Sequence, residues 1–202
     1  MKSYPDSIEE LMVFLKQLPS VGKRGAERMV LAMLEWDKSD ISAFASAVER
    51  IASEITRCPE CGNCAENGSL CPVCSDTSRD LSQLCVVETI SQLLAIEKGG
   101  SFKGRYLVLG GKLSPLDGEN GENLNFDLLM KRASMPEVKE VIIALSSDVE
   151  GRATTAYITE LLENSNVELS KPAQGLPAGA NISFADSATL TAAFSGRISI
   201  DK

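Results

Sequence analysis

Four cysteines in two tight pairs carry the clearest chemistry of this 202-residue chain. They are Cys58-Pro-Glu-Cys61 and Cys71-Pro-Val-Cys74, with nine residues between the pairs. Each CxxC pair can occupy a tight turn that aims two thiolates at one point. Two such turns complete a tetrahedral shell of four sulfurs, the geometry zinc prefers in closed structural sites. A site of that kind supplies folding energy, not catalysis. The favoured reading is one Zn²⁺ per chain on Cys58, Cys61, Cys71 and Cys74. Iron in a rubredoxin-like electron carrier is the competing one, and it normally wants aromatic shielding that residues 58–80 lack. Cys61-Gly-Asn-Cys64 is also a CxxC, so Cys64 competes as a ligand; the outer four give the symmetric arrangement and leave Cys64 spare. Cys85 opens an apolar run and reads as a core thiol.

A second candidate site lies in Leu18-Pro-Ser-Val-Gly-Lys-Arg-Gly-Ala26, which joins two helical stretches through a short turn. Gly22 lets the backbone come close to a ligand, and Ala26 allows close helix packing. The turn opens a helix N-terminus, where free N–H groups and the helix dipole favour a phosphate. Lys16, Lys23, Arg24 and Arg28 against Glu27 make the stretch locally +3. That suits a sequence-independent grip on a DNA backbone, with Lys23, Arg24 and Arg28 as the contacts. The plain alternative is an ordinary turn with solvated cations.

Acidic residues form the third candidate. Glu88 ends one β-branched run, and Ser146-Ser-Asp-Val-Glu-Gly151 follows another and opens a helix. In a parallel sheet the C-terminal strand ends converge on one crevice. Glu88, Asp148 and Glu150 are then expected to meet, and clustered carboxylates are the usual way to hold Mg²⁺. Arg152 opposes a divalent cation there, so the alternative is a degenerate site without catalysis.

These residues need elements to position them. Residues 7–18 place Ile8, Leu11, Met12, Leu15 and Leu18 at helical spacing, with Ser7 and Glu10 fitting a capping box and Pro19 as a stop. Helical periodicity resumes at 24–35 and again from Ile41 to Ile55, so residues 1–57 read as a small all-α unit. Residues 58–80 are too polar to bury a core and need a staple. From Leu84 short apolar runs (85–87, 106–109, 141–145) alternate with helical stretches (89–97, about 123–133, 151–164). That is the pattern of a parallel sheet with crossover helices. Loop signals and a short helix near 186–195 close the chain.

Composition excludes several classes. Histidine is absent, which removes Ser-His and Cys-His catalysis and histidine metal sites. Hydrophobic residues at 44% and charged residues at 24% exclude wholesale disorder. No apolar run approaches the ~20 residues of a membrane span, and the N-terminus carries no export signature, so a cytoplasmic location is expected and reduced thiols with it. The net charge of −8 divides as −1, −3 and −4 over residues 1–57, 58–84 and 85–202, so a polyanion-binding surface must be a local patch. Gly22-Lys-Arg-Gly25 is too short for a phosphate-binding Walker loop, and no ATP hydrolysis is expected.

The turn at 18–26 resembles a helix-hairpin-helix motif, with Ser20 where that motif usually has its first Gly. The acidic pairing resembles the Toprim fold, with Ser146 at the first Asp position. The order of the three parts resembles the bacterial recombination-mediator family RecR over almost the whole chain. The resemblance is carried by Leu18-Pro-Ser-Val-Gly22, the CxxC pairs, Cys85-Val-Val-Glu88, Leu109-Gly-Gly111, Leu113-Ser-Pro-Leu-Asp-Gly118, Val149-Glu-Gly151 and Gly175-Leu-Pro177. It implies an α+β multi-module chain: a helix-hairpin-helix DNA-binding domain at 1–57, a four-cysteine zinc finger at 58–74, an α/β Toprim domain with parallel sheet at 82–177, and a short helical C-terminal oligomerisation segment at 178–202. It also implies a non-enzymatic mediator of recombinational repair that forms dimers closing into tetrameric rings on DNA. Such proteins work with RecO, and in some settings RecF, to load RecA onto gapped or single-stranded DNA. The alternative is a Toprim-type Mg²⁺-dependent nuclease or primase. Leu107, Gln92 and Arg152 depart from the His, Asp and Glu usual in the family, and 181–187 replaces a more acidic stretch, which weakens the expected Mg²⁺ site.

Overall fold

The computed structural model describes residues 4–114 and 121–199, so Pro115–Gly118 of the family-like stretch lie outside the described residues. The chain divides into two compact units between Ile55 and Thr56.

The first unit is helical: α1 (Asp6–Leu15), α2 (Lys23–Met33) and α3 (Lys38–Glu54). The capping box expected at Ser7 does not form. Pro5, with ψ 152°, is the N-cap, and the helix starts one residue before Ser7. Asp6 and Glu9 in the first turn complement the dipole instead. The helix also ends at Leu15, earlier than the apolar spacing suggests. Leu18 precedes Pro19, which disfavours helical backbone at that position. Helices α1 and α2 meet through Met12, Ala26 and Val30. Ala26 is fully buried, so any larger side chain would part the two helices. Helix α3 buries no residue completely; its apolar stripe of Ile41, Phe44, Val48 and Ile51 stays partly exposed.

The second unit is a ribbon followed by an α/β layer. Strands β1 (Ile55–Arg57) and β2 (Cys64–Glu66) form a two-stranded sheet, and the short helix α4 (Pro72–Ser75) follows. Then come β3 (Gln83–Val87), α5 (Ile90–Gly99), β4 (Arg105–Val108), α6 (Phe126–Ala133), β5 (Glu140–Ile143), α7 (Val149–Leu161), β6 (Glu168–Ser170) and α8 (Ser187–Ser195). The sheet is parallel in the order β4-β3-β5-β6, with Cys85 opposite both Tyr106 and Ile142. The expected parallel sheet is present. Strand β6 goes beyond the sequence pattern, because Glu-Leu-Ser offers a single apolar residue; so does the β1-β2 pair.

Alternation along the strands fills two cores. Leu84, Val86, Leu107, Leu109, Val141 and Ile143 face Leu129, Ala133 and Ile158 from α6 and α7. On the opposite face Cys85, Val87, Tyr106 and Val108 pack with Leu93 of α5 and with the cysteine ribbon. The ribbon thus covers part of a sheet face where a helix would otherwise lie. It also occupies the free edge of β4, where the Val108 N–H donates to the Cys61 carbonyl at 2.7 Å and Asn125 Nδ2 donates to the Val108 carbonyl at 2.7 Å.

Gly62 makes that docking possible. Its φ is +74°, and a Cβ there would sit 3.0 Å from the Val108 carbonyl oxygen and 3.0 Å from Asn125 Nδ2. Gly62→Ala is expected to cost about 2 kcal/mol, from left-handed strain plus crowding. Denaturant unfolding checks this; an unchanged midpoint contradicts the docking role.

Candidate functional site

Three of the sequence-derived sites come together locally. The sulfurs of Cys58, Cys61, Cys71 and Cys74 all lie within 4.8 Å of one another, and all four residues are buried. Tetrahedral zinc with ~2.3 Å bonds requires sulfurs about 3.8 Å apart, so the spacing fits such an ion. Cys61 and Cys71 approach to 3.4 Å. Backbone N–H groups already point at the sulfurs: Cys71 N to Cys58 Sγ at 3.4 Å and Cys74 N to Cys71 Sγ at 3.4 Å. The thiol protons are strongly redistributed. Hydrogen bonding from Cys61 draws the Cys74 thiol down to about 6, while the same bond and burial push Cys61 up. Four thiolates this close repel one another, and a divalent cation is the species that relieves them. Cys64 is exposed at the start of β2 and stands outside the cluster. Cys85 is buried and pushed up to about 12 by desolvation, an inert core thiol.

Two buried arginines, neither of them among the expected site residues, hold this cluster. Arg105 of β4 donates to the carbonyls of Val73 at 2.9 Å, Cys74 at 2.5 Å and Asp76 at 2.9 Å. Arg132 of α6 donates to the Glu60 carbonyl at 2.9 Å. Each turn of the CxxC pairs is therefore gripped by one guanidinium. The available signal was a charge at the head of an otherwise apolar strand, Arg105-Tyr-Leu-Val108. Arg79 adds a third anchor through Glu97, whose carboxylate also accepts from Tyr106 at 2.7 Å.

In the hairpin, Ser20 takes φ +64°, the left-handed geometry the motif usually gives to Gly. Gly22 caps α2 with extended backbone, no side chain bonds the first-turn N–H groups, and a Cβ on Gly22 would meet open space. Neither strain nor packing requires Gly22; what it leaves is room next to the helix N-terminus. Lys23, Arg24 and Arg28 are exposed, and none forms an ion pair among the described residues. Glu27 is turned to Tyr4, whose hydroxyl donates to it at 2.7 Å. Lys16 and Lys23 share a cleft of about 410 Å³ with Glu9 and Glu27.

Glu88, Asp148 and Glu150 converge beyond β3 and β5, the point where the sheet order reverses, as expected. The oxygens of Glu88 and Asp148 are not free. Glu88 Oε1 accepts from Ser146 N at 2.5 Å and Oγ at 2.6 Å, and Gln92 Nε2 donates to Oε2 at 3.1 Å. Asp148 Oδ1 caps α7 at Gly151 N, 2.7 Å away. Lys112, a residue outside every sequence motif, places Nζ 2.5 Å from Asp148 Oδ2 and 3.4 Å from Glu150 Oε2. This pair holds Asp148 down at about 2 and raises Lys112. The Arg152 guanidinium donates to the Ser147 carbonyl at 2.8 Å. Gln92 also completes a capping box with Thr89 at the start of α5.

A helical unit with an open cationic hairpin, a four-cysteine ribbon and a parallel sheet with acids at its switch point define a Toprim-type, helix-hairpin-helix protein. Family comparison agrees: residues 82–172 match the Toprim domain, 8–52 the RecR helix-hairpin-helix and 175–198 the RecR C-terminal region. The chain is 43% identical over 194 residues to the recombination protein RecR of Thermus thermophilus, covering 96% of this chain and 97% of the relative. It is 43% identical over 190 residues to that of Methylobacterium nodulans, covering 94% of each. Identity to the RecR of a Psychrobacter species is 40% over 192 residues, 95% of this chain and 98% of the relative. The chain belongs to the RecR family of recombination proteins, and that membership supports a role in recombinational repair. No helix among the described residues is long and apolar enough to cross a membrane.

Arg105→Met removes three hydrogen bonds from a charged donor to buried carbonyls. It is expected to destabilise the fold by about 3 kcal/mol and to speed metal loss to a chelator. Equal chelation rates in variant and parent would show that Arg105 plays no part in holding the ribbon.

Proposed function

We propose that this chain is a non-enzymatic mediator of recombinational repair in the cytoplasm. It grips the DNA backbone through Lys23, Arg24 and Arg28 and, with RecO and in some settings RecF, promotes RecA loading onto gapped or single-stranded DNA. The observation that carries this reading is the hairpin: three exposed cations without ion-pair partners among the described residues, on a helix whose first N–H groups have no side-chain acceptor. Phosphates satisfy both. Contacts to phosphate position a protein without reading bases, which suits binding without sequence preference.

The division of labour we propose is DNA binding in 1–57, a structural Zn²⁺ on Cys58, Cys61, Cys71 and Cys74 in 58–74, a Toprim platform in 82–177 and oligomerisation through 178–202. Self-association to dimers and tetrameric rings is supported by apolar surface. The α3 stripe borders a groove of about 810 Å³ lined by Leu11, Val30, Met33, Trp36, Phe44 and Val48. Phe184 and Ile198 in the C-terminal segment are each 88% exposed and add apolar surface there. A ring also accommodates the net charge of −8, since enclosure tolerates a weak local grip. The nuclease or primase alternative needs Glu88, Asp148 and Glu150 free for Mg²⁺, whereas the Glu88 and Asp148 oxygens accept from Ser146, Gln92, Gly151 and Lys112, and Glu150 faces the Lys112 ammonium at 3.4 Å.

Arg24→Ala and Arg28→Ala should each weaken DNA binding equally across sequences and lower the slope of log affinity against log salt by about 1. Fluorescence anisotropy over a salt series measures this. A loss confined to particular sequences, or none at all, defeats the backbone model. Elemental analysis should give one zinc per chain, and Cys58→Ser should lower both zinc content and thermal stability. A zinc-free variant that melts like its parent removes the structural role.

A further inference from the structure

Two of the three carboxylates of the Toprim crevice accept a protein donor on each oxygen, and the third, Glu150, lies beside an ammonium group. Mg²⁺ needs oxygen ligands near 2.0–2.1 Å in octahedral array, with lone pairs directed at it. Both Glu88 oxygens accept from protein donors, Oε1 from Ser146 N and Oγ, Oε2 from Gln92 Nε2. Asp148 Oδ1 is committed to Gly151 N, and its Oδ2 to Lys112 Nζ at 2.5 Å. Glu150 Oε2 lies 3.4 Å from the same ammonium. Lys112 Nζ further reaches Ser146 Oγ at 3.3 Å, so it sits among the oxygens that would ligate an ion. Arg152, in the first turn of α7, adds a second positive charge and donates to the Ser147 carbonyl.

We propose that Lys112 is the built-in cation of this crevice, and that Mg²⁺ does not enter it in this chain. The ammonium supplies neutralising charge that is tethered to the backbone and cannot be diluted away. It ties the segment after β4 to the N-terminus of α7, a link reinforced by Leu113 N donating to Thr154 Oγ1 at 2.9 Å. The crevice therefore keeps its shape whatever the Mg²⁺ concentration, and a divalent ion could enter only by displacing a side chain that already holds three acceptors. This goes beyond the mediator reading, which is decided by DNA binding and not by this crevice.

The test uses the full-length, zinc-replete protein and Mn²⁺ as the probe. Mn²⁺ takes the same hard oxygen ligands as Mg²⁺, and its free form is visible by electron paramagnetic resonance. The parent should leave the free Mn²⁺ signal undiminished at equimolar protein. Lys112→Met keeps the length and removes the charge; it should bind one Mn²⁺ per chain at least about tenfold more tightly, displaceable by Mg²⁺ and abolished by adding Asp148→Asn. Lys112→Gln provides a second, more polar variant, and zinc content with a thermal melt reports folding. The proposal is overturned if the parent binds one Mn²⁺ per chain in a manner lost in Asp148→Asn. It is equally overturned if a folded Lys112 variant gains no affinity. The parent titration alone decides the question should both variants misfold.

Discussion

Covering a parallel sheet on both faces is the constraint around which the second unit is organised. A strand buried on both sides needs an apolar layer above and below it. Helices α6 and α7 provide one layer. On the other side α5 provides only part, and the cysteine ribbon provides the rest, with Cys58, Cys61, Cys71 and Cys74 themselves counted among the buried core. Sulfur suits that position because it is apolar enough to pack and able to cross-link turns that have few aliphatic side chains. The buried arginines follow from the same constraint. Turns bring backbone carbonyls with them, and carbonyls driven against a sheet need donors. Arg105 and Arg132 supply those donors from β4 and α6. The ribbon is thus held by its sulfurs on the inside and by guanidinium groups on the outside.

For the proposed grip on a polyanion, a chain of net charge −8 must keep its cations local and unpaired. The hairpin does this by geometry. Glu27 is the acid nearest in sequence, and Tyr4 engages it, so it is directed to a neutral partner instead of quenching Lys23 or Arg24. Elsewhere the arginines are spent on structure, with Arg79, Arg105 and Arg132 committed to the ribbon and its surroundings.

Much of this was legible in the residues. Paired cysteines at fixed spacing are a local signal, and the outer four did cluster while Cys64 stayed apart. Alternating apolar runs and helical stretches gave the order of the sheet elements, because a doubly buried strand leaves an unbroken apolar run. What escaped had no local signature. Strand β6 is defined by pairing with β5, not by its own composition. The capping box at Ser7 failed because Pro5 set the helix start first. Lys112 and Arg132 act on residues 36 and 72 positions away in sequence, and only the fold brings those partners within reach.

The departures from the Toprim pattern become coherent once the crevice is seen as a hydrogen-bonded unit. Gln92 in place of an acid gains an amide that donates to Glu88 and an oxygen that accepts from the Glu88 N–H at 2.7 Å. Ser146 in place of an acid turns a ligand into a donor, with both its N–H and its hydroxyl on Glu88. Arg152 in place of an acid ties down the loop carbonyl of Ser147. Taken with Lys112, these changes leave none of the Glu88 and Asp148 oxygens without a donor. Carboxylates in that condition serve the fold as acceptors, fixing the β3 end, the β5 loop and the α7 cap to one another, a structural joint that the proposed Lys112 cation completes.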